Sequence, residues 1–305
     1  MKFSLSKYIW FDGKFVPVNM AKVPVTTHAI HYGTSIFEGI RAYWDSKSLY
    51  VFRLKDHIKR FRNSGKFYNI RLNFSDKQIE NAVIDLCKKN KIKKSCYIRP
   101  FYFVGQYGIN LYVTQKAPTH TAIFAFPFGD LFNKNGITAT ISKWRKFSDM
   151  STPTQAKMGG NYLNSILATQ DAKQRGFDEA ILLDQSGNVS EAPGENIFLV
   201  KNNMLVTPSL SSSALDGITR RSIITLAKDM KLKIKTQKVS KKELKMADEI
   251  FLSGTAAEIT PVIKIDKKKI GEGKVGNITK LFMDTYSNIV MNKSENYSHW
   301  LTAVY

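Results

Sequence analysis

The chain has 305 residues, 43% of them apolar and 12% aromatic, with 18 Gly and 9 Pro. That is the make-up of a globular protein with room for one large domain or two modest ones, and it excludes a disordered chain, a collagen-like repeat and a disulfide scaffold. Its 46 basic residues against 25 acidic leave a formal charge of +21; a nucleic-acid binder would carry such an excess, but these lysines are scattered and not gathered in one stripe among aromatics, so they read as a solvated surface.

In chain order, Tyr8–Phe11 and Lys14–Val18 around Asp12-Gly13 predict a β-hairpin. Lys7, Asp12 and Lys14 also interrupt the apolar stretch a signal peptide would need, so a soluble cytoplasmic protein is expected. A strand at Leu49–Arg53 leads into a helix from Asp56 to about Tyr68, and Ser75 with Gln78 forms a capping box before the helix Ile79–Lys89. Cys87 and Cys96 belong to no redox or metal motif, and the five His lack zinc spacing, so buried thiols and no metal are expected. Strands Cys96–Val104 and Thr121–Phe128 follow; the apolar run Ala122–Phe128 is far too short for the roughly 18–20 residues of a membrane span.

Gly129–Gly136 reads as a linker, and Ile137–Lys143 as a strand. A helix from Tyr162 to about Gln174 follows the Gly159-Gly160 pair, then strand Glu179–Leu183, a turn at Gln185–Asn188 and strand Asn196–Val200. Thr219–Lys231 is helical, Ser240 with Glu243 caps a short helix, Glu249–Leu252 is a strand, and a last helix runs from Asn277 to Met291. Strands and helices mix without strict βαβ alternation, which predicts an α+β protein and not a doubly wound sheet.

Three segments are built for close backbone approach: Ala156–Tyr162, with a lone Lys157 among small residues; Asp216–Arg220, where Gly217 opens a helix whose first N–H groups can bind an anion; and the small-residue turn Ser253–Ala257. Singly, each has a plainer reading as a surface lysine, a helix cap or a turn.

Together with His31–Arg41 (HYGTSIFEGIR), Tyr97–Pro100 (YIRP), Lys157–Tyr162, Ser190–Asn196 (SEAPGEN), Ser213–Arg220 and Ser253–Pro261 (SGTAAEITP), they make the sequence resemble the class IV, fold type IV pyridoxal-phosphate aminotransferases, and within them the branched-chain amino acid aminotransferases. The resemblance implies a two-domain α+β fold like that of D-amino acid aminotransferase. It places a small domain at 1–128, a linker at 129–135 and a large domain at 136–305 carrying the Schiff-base lysine, with the cofactor in the cleft between the domains.

It also implies roles. Lys157 would carry the pyridoxal 5'-phosphate covalently and then move the substrate α-proton, for which its pKa must fall. Glu191 would face the pyridine nitrogen, with Glu195 the second choice. Arg60 would anchor the phosphate with Ile218, Thr219 and Thr255, Leu215 would be among the cofactor-binding residues, and Tyr162 would bond the cofactor's 3-hydroxyl oxygen. Phe37, Tyr32, Tyr162 and Phe128 would wall the substrate pocket, with Leu111 beside it, while Arg41 has no assigned role. Tyr97, with the N–H groups of Thr255 and Ala256, would take the α-carboxylate, and Arg99 the distal carboxylate of glutamate; both project from one face of a strand. The activity implied is reversible, ping-pong transamination of leucine, isoleucine and valine with 2-oxoglutarate by a homodimer or larger homo-oligomer, acting on small molecules and binding neither nucleic acid nor membrane. D-amino acid transaminase and aminodeoxychorismate lyase share the fold, but the Tyr97-x-Arg99 pair and the SGTAAE turn favour the branched-chain branch.

Overall fold

The computed structural model describes residues 5–305. Its contacts divide the chain into two compact units, one of Met1–Gly129, Ala156–Gly160 and Asn288–Tyr305, the other of Asp130–Gln155 and Asn161–Ser287.

The first unit opens with the hairpin of β1 (Tyr8–Phe11) and β2 (Lys14–Pro17). Asp12 (φ 43°) and Gly13 (φ 88°) both lie at positive φ, the turn geometry that an Asp-Gly pair favours. Next come α1 (His28–Tyr32), β3 (Ser35–Phe37), β4 (Ile40–Trp44), β5 (Leu49–Phe52), α2 (Leu54–Lys66), α3 (Asp76–Lys89), β6 (Cys96–Val104) and β7 (Thr119–Pro127). They form a sheet in the order C-terminal strand Leu301–Ala303, β5, β4, β6, β7, β1, β2, with β3 also on β6. Every pairing in it is antiparallel. Strand β4 escapes sequence reading because Ile40, Arg41, Ala42 and Tyr43 are all buried, which erases the alternation of apolar and polar residues.

Helix α2 buries Leu54, His57, Ile58, Phe61, Ser64 and Gly65, a stripe at helical spacing. Phe61 meets Tyr102 edge-on at 4.8 Å, and the Tyr102 hydroxyl donates to the Phe61 carbonyl at 3.3 Å. Gly65 permits this approach, since a Cβ there would lie 1.8 Å from the Tyr102 hydroxyl oxygen.

Two segments expected in the larger domain belong by contact to this unit. Residues 156–160 are tied to it by the Ile36–Met158 bridge and by the Phe37 N–H donating to the Lys157 carbonyl at 3.1 Å. The tail joins through Leu301–Ala303 pairing with β5. Both ties are tertiary hydrogen bonding, to which local sequence patterns are blind.

The second unit contains β8 (Ile137–Arg145), α4 (Tyr162–Gln174), β9 (Glu179–Leu183), β10 (Asn196–Lys201), β11 (Met204–Pro208), α5 (Ile218–Asp229), β12 (Ile234–Gln237), α6 (Lys241–Lys245), β13 (Glu249–Gly254), β14 (Glu258–Ile265), β15 (Lys268–Lys269) and all but the last three residues of α7 (Asn277–Val290). Its sheet runs β12-β11-β10-β13-β14-β8-β9, with β15 on β14. The β11–β12, β14–β8 and β8–β9 pairs are parallel and the others antiparallel, a mixed sheet that makes the chain α+β. β11 was not expected, although its turn, Asn202-Asn203 at φ 49° and 57°, is a two-residue hairpin signal. Among the described residues, no helix is long and apolar enough to cross a membrane.

The capping box at Ser75 is present in full, with Ser75 accepting from the Gln78 N–H and Gln78 accepting from the Ser75 N–H. Ser75→Ala should lower the free energy of unfolding by about 1 kcal/mol. Gly65→Ala should cost at least twice as much, because its methyl collides with Tyr102 inside the core. Urea denaturation of the three proteins, side by side, checks both the sign and the order.

Candidate active site

In the first unit Lys157 lies at the edge of the sheet, its N–H donating to Ser64 Oγ of α2 at 3.0 Å. Its amine sits 4.7 Å from the centroid of the Phe37 ring, and the Arg99 guanidinium lies 4.6 Å from the same centroid. Burial, and next the charge of Arg60, hold the Lys157 amine down at about 8 from an ordinary 10.5; Glu38 and Tyr97 oppose that shift. A neutral amine is therefore accessible near physiological pH, the state a nucleophile or proton acceptor needs.

Arg60 is held by Glu38, which is fully buried. Its Nε donates to Glu38 Oε1 at 2.6 Å and its Nη2 to Oε2 at 2.9 Å, a two-point pairing. His57 lies 2.7 Å from Oε2. Burial alone would raise the Glu38 pKa, but Arg60 and then His57 outweigh it and keep the carboxyl far below its usual range. Burial lowers His57 despite Glu38 beside it, so a neutral ring donates Nδ1–H to the carboxylate.

Tyr97 and Arg99 project together from β6, as their spacing predicts, and are themselves bonded: Arg99 Nη2 donates to the Tyr97 hydroxyl oxygen at 3.0 Å. The phenolic proton of Tyr97 stays available for a carboxylate. The Phe128 ring lies tilted at 5.5 Å from that of Tyr97, and its carbonyl accepts from Arg41 Nη2 at 3.2 Å.

In the second unit Glu191 is buried, and three donors fix its carboxylate. Oε2 accepts from Asn196 Nδ2 at 3.1 Å and from the Leu215 N–H at 2.9 Å, while Oε1 lies 2.6 Å from the amine of Lys146. Glu195 is held differently, accepting from the N–H of its neighbour Gly194 at 3.2 Å. Asn196 also donates to the Leu215 carbonyl at 2.8 Å and packs so tightly on Gly217 that a Cβ there would lie 2.0 Å from its Oδ1. Gly217 opens α5 with no side chain capping it, so the first N–H groups, at Ile218 and Thr219, keep their donor capacity for a ligand. The Asn196–Ser253 register of β10 and β13 sets the turn Thr255–Ala257 alongside; Ser253 Oγ is buried without a hydrogen-bond partner.

Each unit carries groups of the kind a phosphorylated pyridine aldehyde requires. In the first, the depressed amine suits an aldehyde and Arg60 a phosphate; in the second, the fixed buried carboxylate suits a ring nitrogen and the uncapped helix start a phosphate dianion.

Of the residues expected from the sequence, Lys157, Arg60, Phe37, Tyr97, Arg99 and Phe128 gather in the first unit. Glu191, Leu215, Ile218, Thr219, Thr255, Ala256 and Tyr162 fall in the second. Tyr32 and Leu111 sit in an exposed group, where the Tyr32 hydroxyl donates to the Ile109 carbonyl at 3.3 Å. Glu38, His57, Ser64, Asn196 and Lys146 were not singled out. Glu38 and Asn196 lie within motifs already quoted, whereas Lys146 had no signal in a chain this rich in lysine.

A family model described as amino-transferase class IV matches residues 35–265. The chain is 42% identical to the probable branched-chain-amino-acid aminotransferase of Aquifex aeolicus over 305 residues, covering 98% of this chain and 97% of that one. A crystal structure of the branched-chain aminotransferase of Thermoproteus uzoniensis with norvaline superposes with a TM-score of 0.95 at 41% identity, covering 98% of this chain and all of the other. The branched-chain amino acid aminotransferase of Thermobaculum terrenum, in its PLP-bound holo form, superposes with a TM-score of 0.93 at 33% identity, covering 99% of each chain. The chain belongs to the class IV aminotransferases, which depend on pyridoxal phosphate. Within that family, branched-chain amino acid aminotransferases match it over nearly the full length.

Lys157 should react with reductive methylation reagents in the apoprotein with half-effect near pH 8, well below the ordinary 10.5, as read by peptide mapping. The stability consequence has a fixed sign. The unfolded chain binds a proton that the folded one has lost between about pH 8 and 10.5, so wild type should gain stability relative to Lys157→Met as pH rises through that window.

Proposed function

We propose that this chain transfers the amino group of leucine, isoleucine or valine to 2-oxoglutarate, in two half-reactions sharing one bound pyridoxal phosphate. The observation that carries the reading is the Lys157 amine held near 8 beside Phe37 and the bonded Tyr97–Arg99 pair. Pyridoxal phosphate, when bound, supplies an aldehyde carbon for an amine and a ring that takes up the electron pair released at Cα. Lys157 would hold it covalently and, once the amino group of the substrate has displaced it, its freed amine would accept the proton from Cα and hand it back on the cofactor side. Glu191 keeps a proton on the ring nitrogen, with its carboxylate immobilised by Asn196 and Leu215. Arg60, the start of α5 at Ile218 and Thr219, and Thr255 bind the phosphate. Tyr162 orients the ring through its 3-hydroxyl oxygen.

Tyr97 and the N–H groups of Thr255 and Ala256 orient the α-carboxylate common to all substrates. Phe37 and Phe128 accept the aliphatic side chain, and Arg99 pairs with the second carboxylate of glutamate. Tyr32 and Leu111 are assigned to a homodimer, in which the exposed apolar group of Ile30, Tyr32, Ile109, Leu111 and Tyr112 is covered by a second copy. The two cysteines, free and buried, suit a reducing cytoplasm.

Lys157→Ala should abolish amino-group transfer from leucine, isoleucine and valine while the protein stays folded; borohydride label found on another lysine would refute the assignment. Arg99→Leu should slow the glutamate half-reaction by at least ~30-fold, since losing one partner of a buried Arg–carboxylate contact costs about 2–5 kcal/mol, and should slow leucine far less. Tyr97→Phe should reduce both, because it removes the shared carboxylate contact and the acceptor that positions Arg99. Single-turnover absorbance with each amino acid resolves these outcomes, and equal losses for both in Arg99→Leu would remove its specificity role. Sedimentation equilibrium tests the dimer, and a monomer at working concentration would exclude it.

A further inference from the structure

We propose that Lys146 is a positioning residue for the reaction, holding the Glu191 carboxylate in one orientation and placing a half-buried positive charge beside it. The inference rests on the reading that Glu191 serves the cofactor's ring nitrogen. Lys146 follows directly on β8, and its backbone is pinned twice: its N–H donates to the Leu183 carbonyl at 2.9 Å, and its carbonyl accepts from Gln185 Nε2 at 2.7 Å. From there the side chain reaches inward to Glu191 Oε1 at 2.6 Å. The two side chains are 16% and 6% exposed, whereas the surface pair Lys201–Asp248 is 44% and 48% exposed.

With Oε2 already taken by Asn196 and the Leu215 N–H, Lys146 takes the other oxygen, so the carboxylate cannot rotate about its last bond without losing a donor. Burial would lower the Lys146 amine, but the Glu191 charge and hydrogen bond, with Tyr162 adding to them, overcome it and raise its pKa. Lys146 therefore stays charged, beside both the carboxylate assigned to the ring nitrogen and the phenol assigned to the 3-hydroxyl oxygen. A fixed cation there opposes further positive charge on a ring held by these two groups.

Lys146→Met removes the charge at similar length, and Lys146→Arg retains it. In the holoenzyme, Lys146→Met should move the pH transition of the cofactor's visible absorbance upward by about one unit, the sign expected when a neighbouring cation is lost. It should also slow the leucine half-reaction by roughly tenfold, a factor commonly lost with a supporting partner of a reactive site. Lys146→Arg should bring both back close to wild type. Thermal melts of the apoproteins report folding independently. In a Glu191→Gln background, Lys146→Met should add little to the loss of rate, since the contact that orients the carboxylate is already gone.

If Glu191→Gln alters the transition and the rate but Lys146→Met alters neither, this inference falls and the role of Glu191 stands. If Glu191→Gln changes nothing, the role of Glu191 falls and this inference with it. Failure of Lys146→Arg to restore what Lys146→Met removes would reduce Lys146 to packing and overturn the proposal.

Discussion

A carboxylate with no access to water must be neutralised where it stands, and in the first unit that carboxylate is Glu38. Arg60 meets it with two hydrogen bonds and His57 with a third, so α2 is locked onto the sheet at that level. Breaking such a buried pair by removing one partner costs about 3–5 kcal/mol, because the remaining charge is stranded. Arg60 thus has one side committed to structure, and its position is set before any ligand arrives. The same guanidinium depresses Lys157, so a structural ion pair and a chemical property share one charge.

The second unit applies the same principle to a different end. Glu191 is fixed by a side-chain amide, a backbone N–H and a half-buried ammonium, and the amide in turn leaves no room for a side chain at position 217. Gly217 is needed both for that contact and for opening α5 with its first donors uncapped. Preorganisation of this kind leaves little ordering to be done when a ligand binds.

The positive charge that dominates the composition has a modest part in these sites. Many lysines are solvated or lie in exposed pairs such as Lys201–Asp248, as their scattered placement implies. Lys146 and Lys157 differ because burial and partners distant in sequence, not their own flanking residues, move their pKa values: burial and then Arg60 lower Lys157, whereas Glu191 overcomes burial and raises Lys146. A reading by residue type finds Lys157 only through the Gly-rich motif around it and passes over Lys146 altogether.

Local chemistry was enough for the hairpin at Asp12-Gly13, for the helices capped by Ser75 and Ser240, and for the long strands β6 and β7, since turn geometry, caps and alternation act within a few residues. The motifs around Lys157, Glu191 and Gly217 were legible for a related reason: a lysine among glycines and a helix opening on Gly carry their chemistry in adjacent residues. Tertiary structure decided the rest. β4 is buried along most of its length and shows no period, while residues 156–160 and the C-terminal strand join the first unit through hydrogen bonds to distant partners. Glu38 with Arg60, Tyr97 with Arg99 and Lys146 with Glu191 are pairings of side chains whose charges matter only once water has been excluded around them. The sequence by itself determined which groups are present and which local turns hold them; burial and approach across the sheets, which are properties of the folded chain, decided their charge states and their partners.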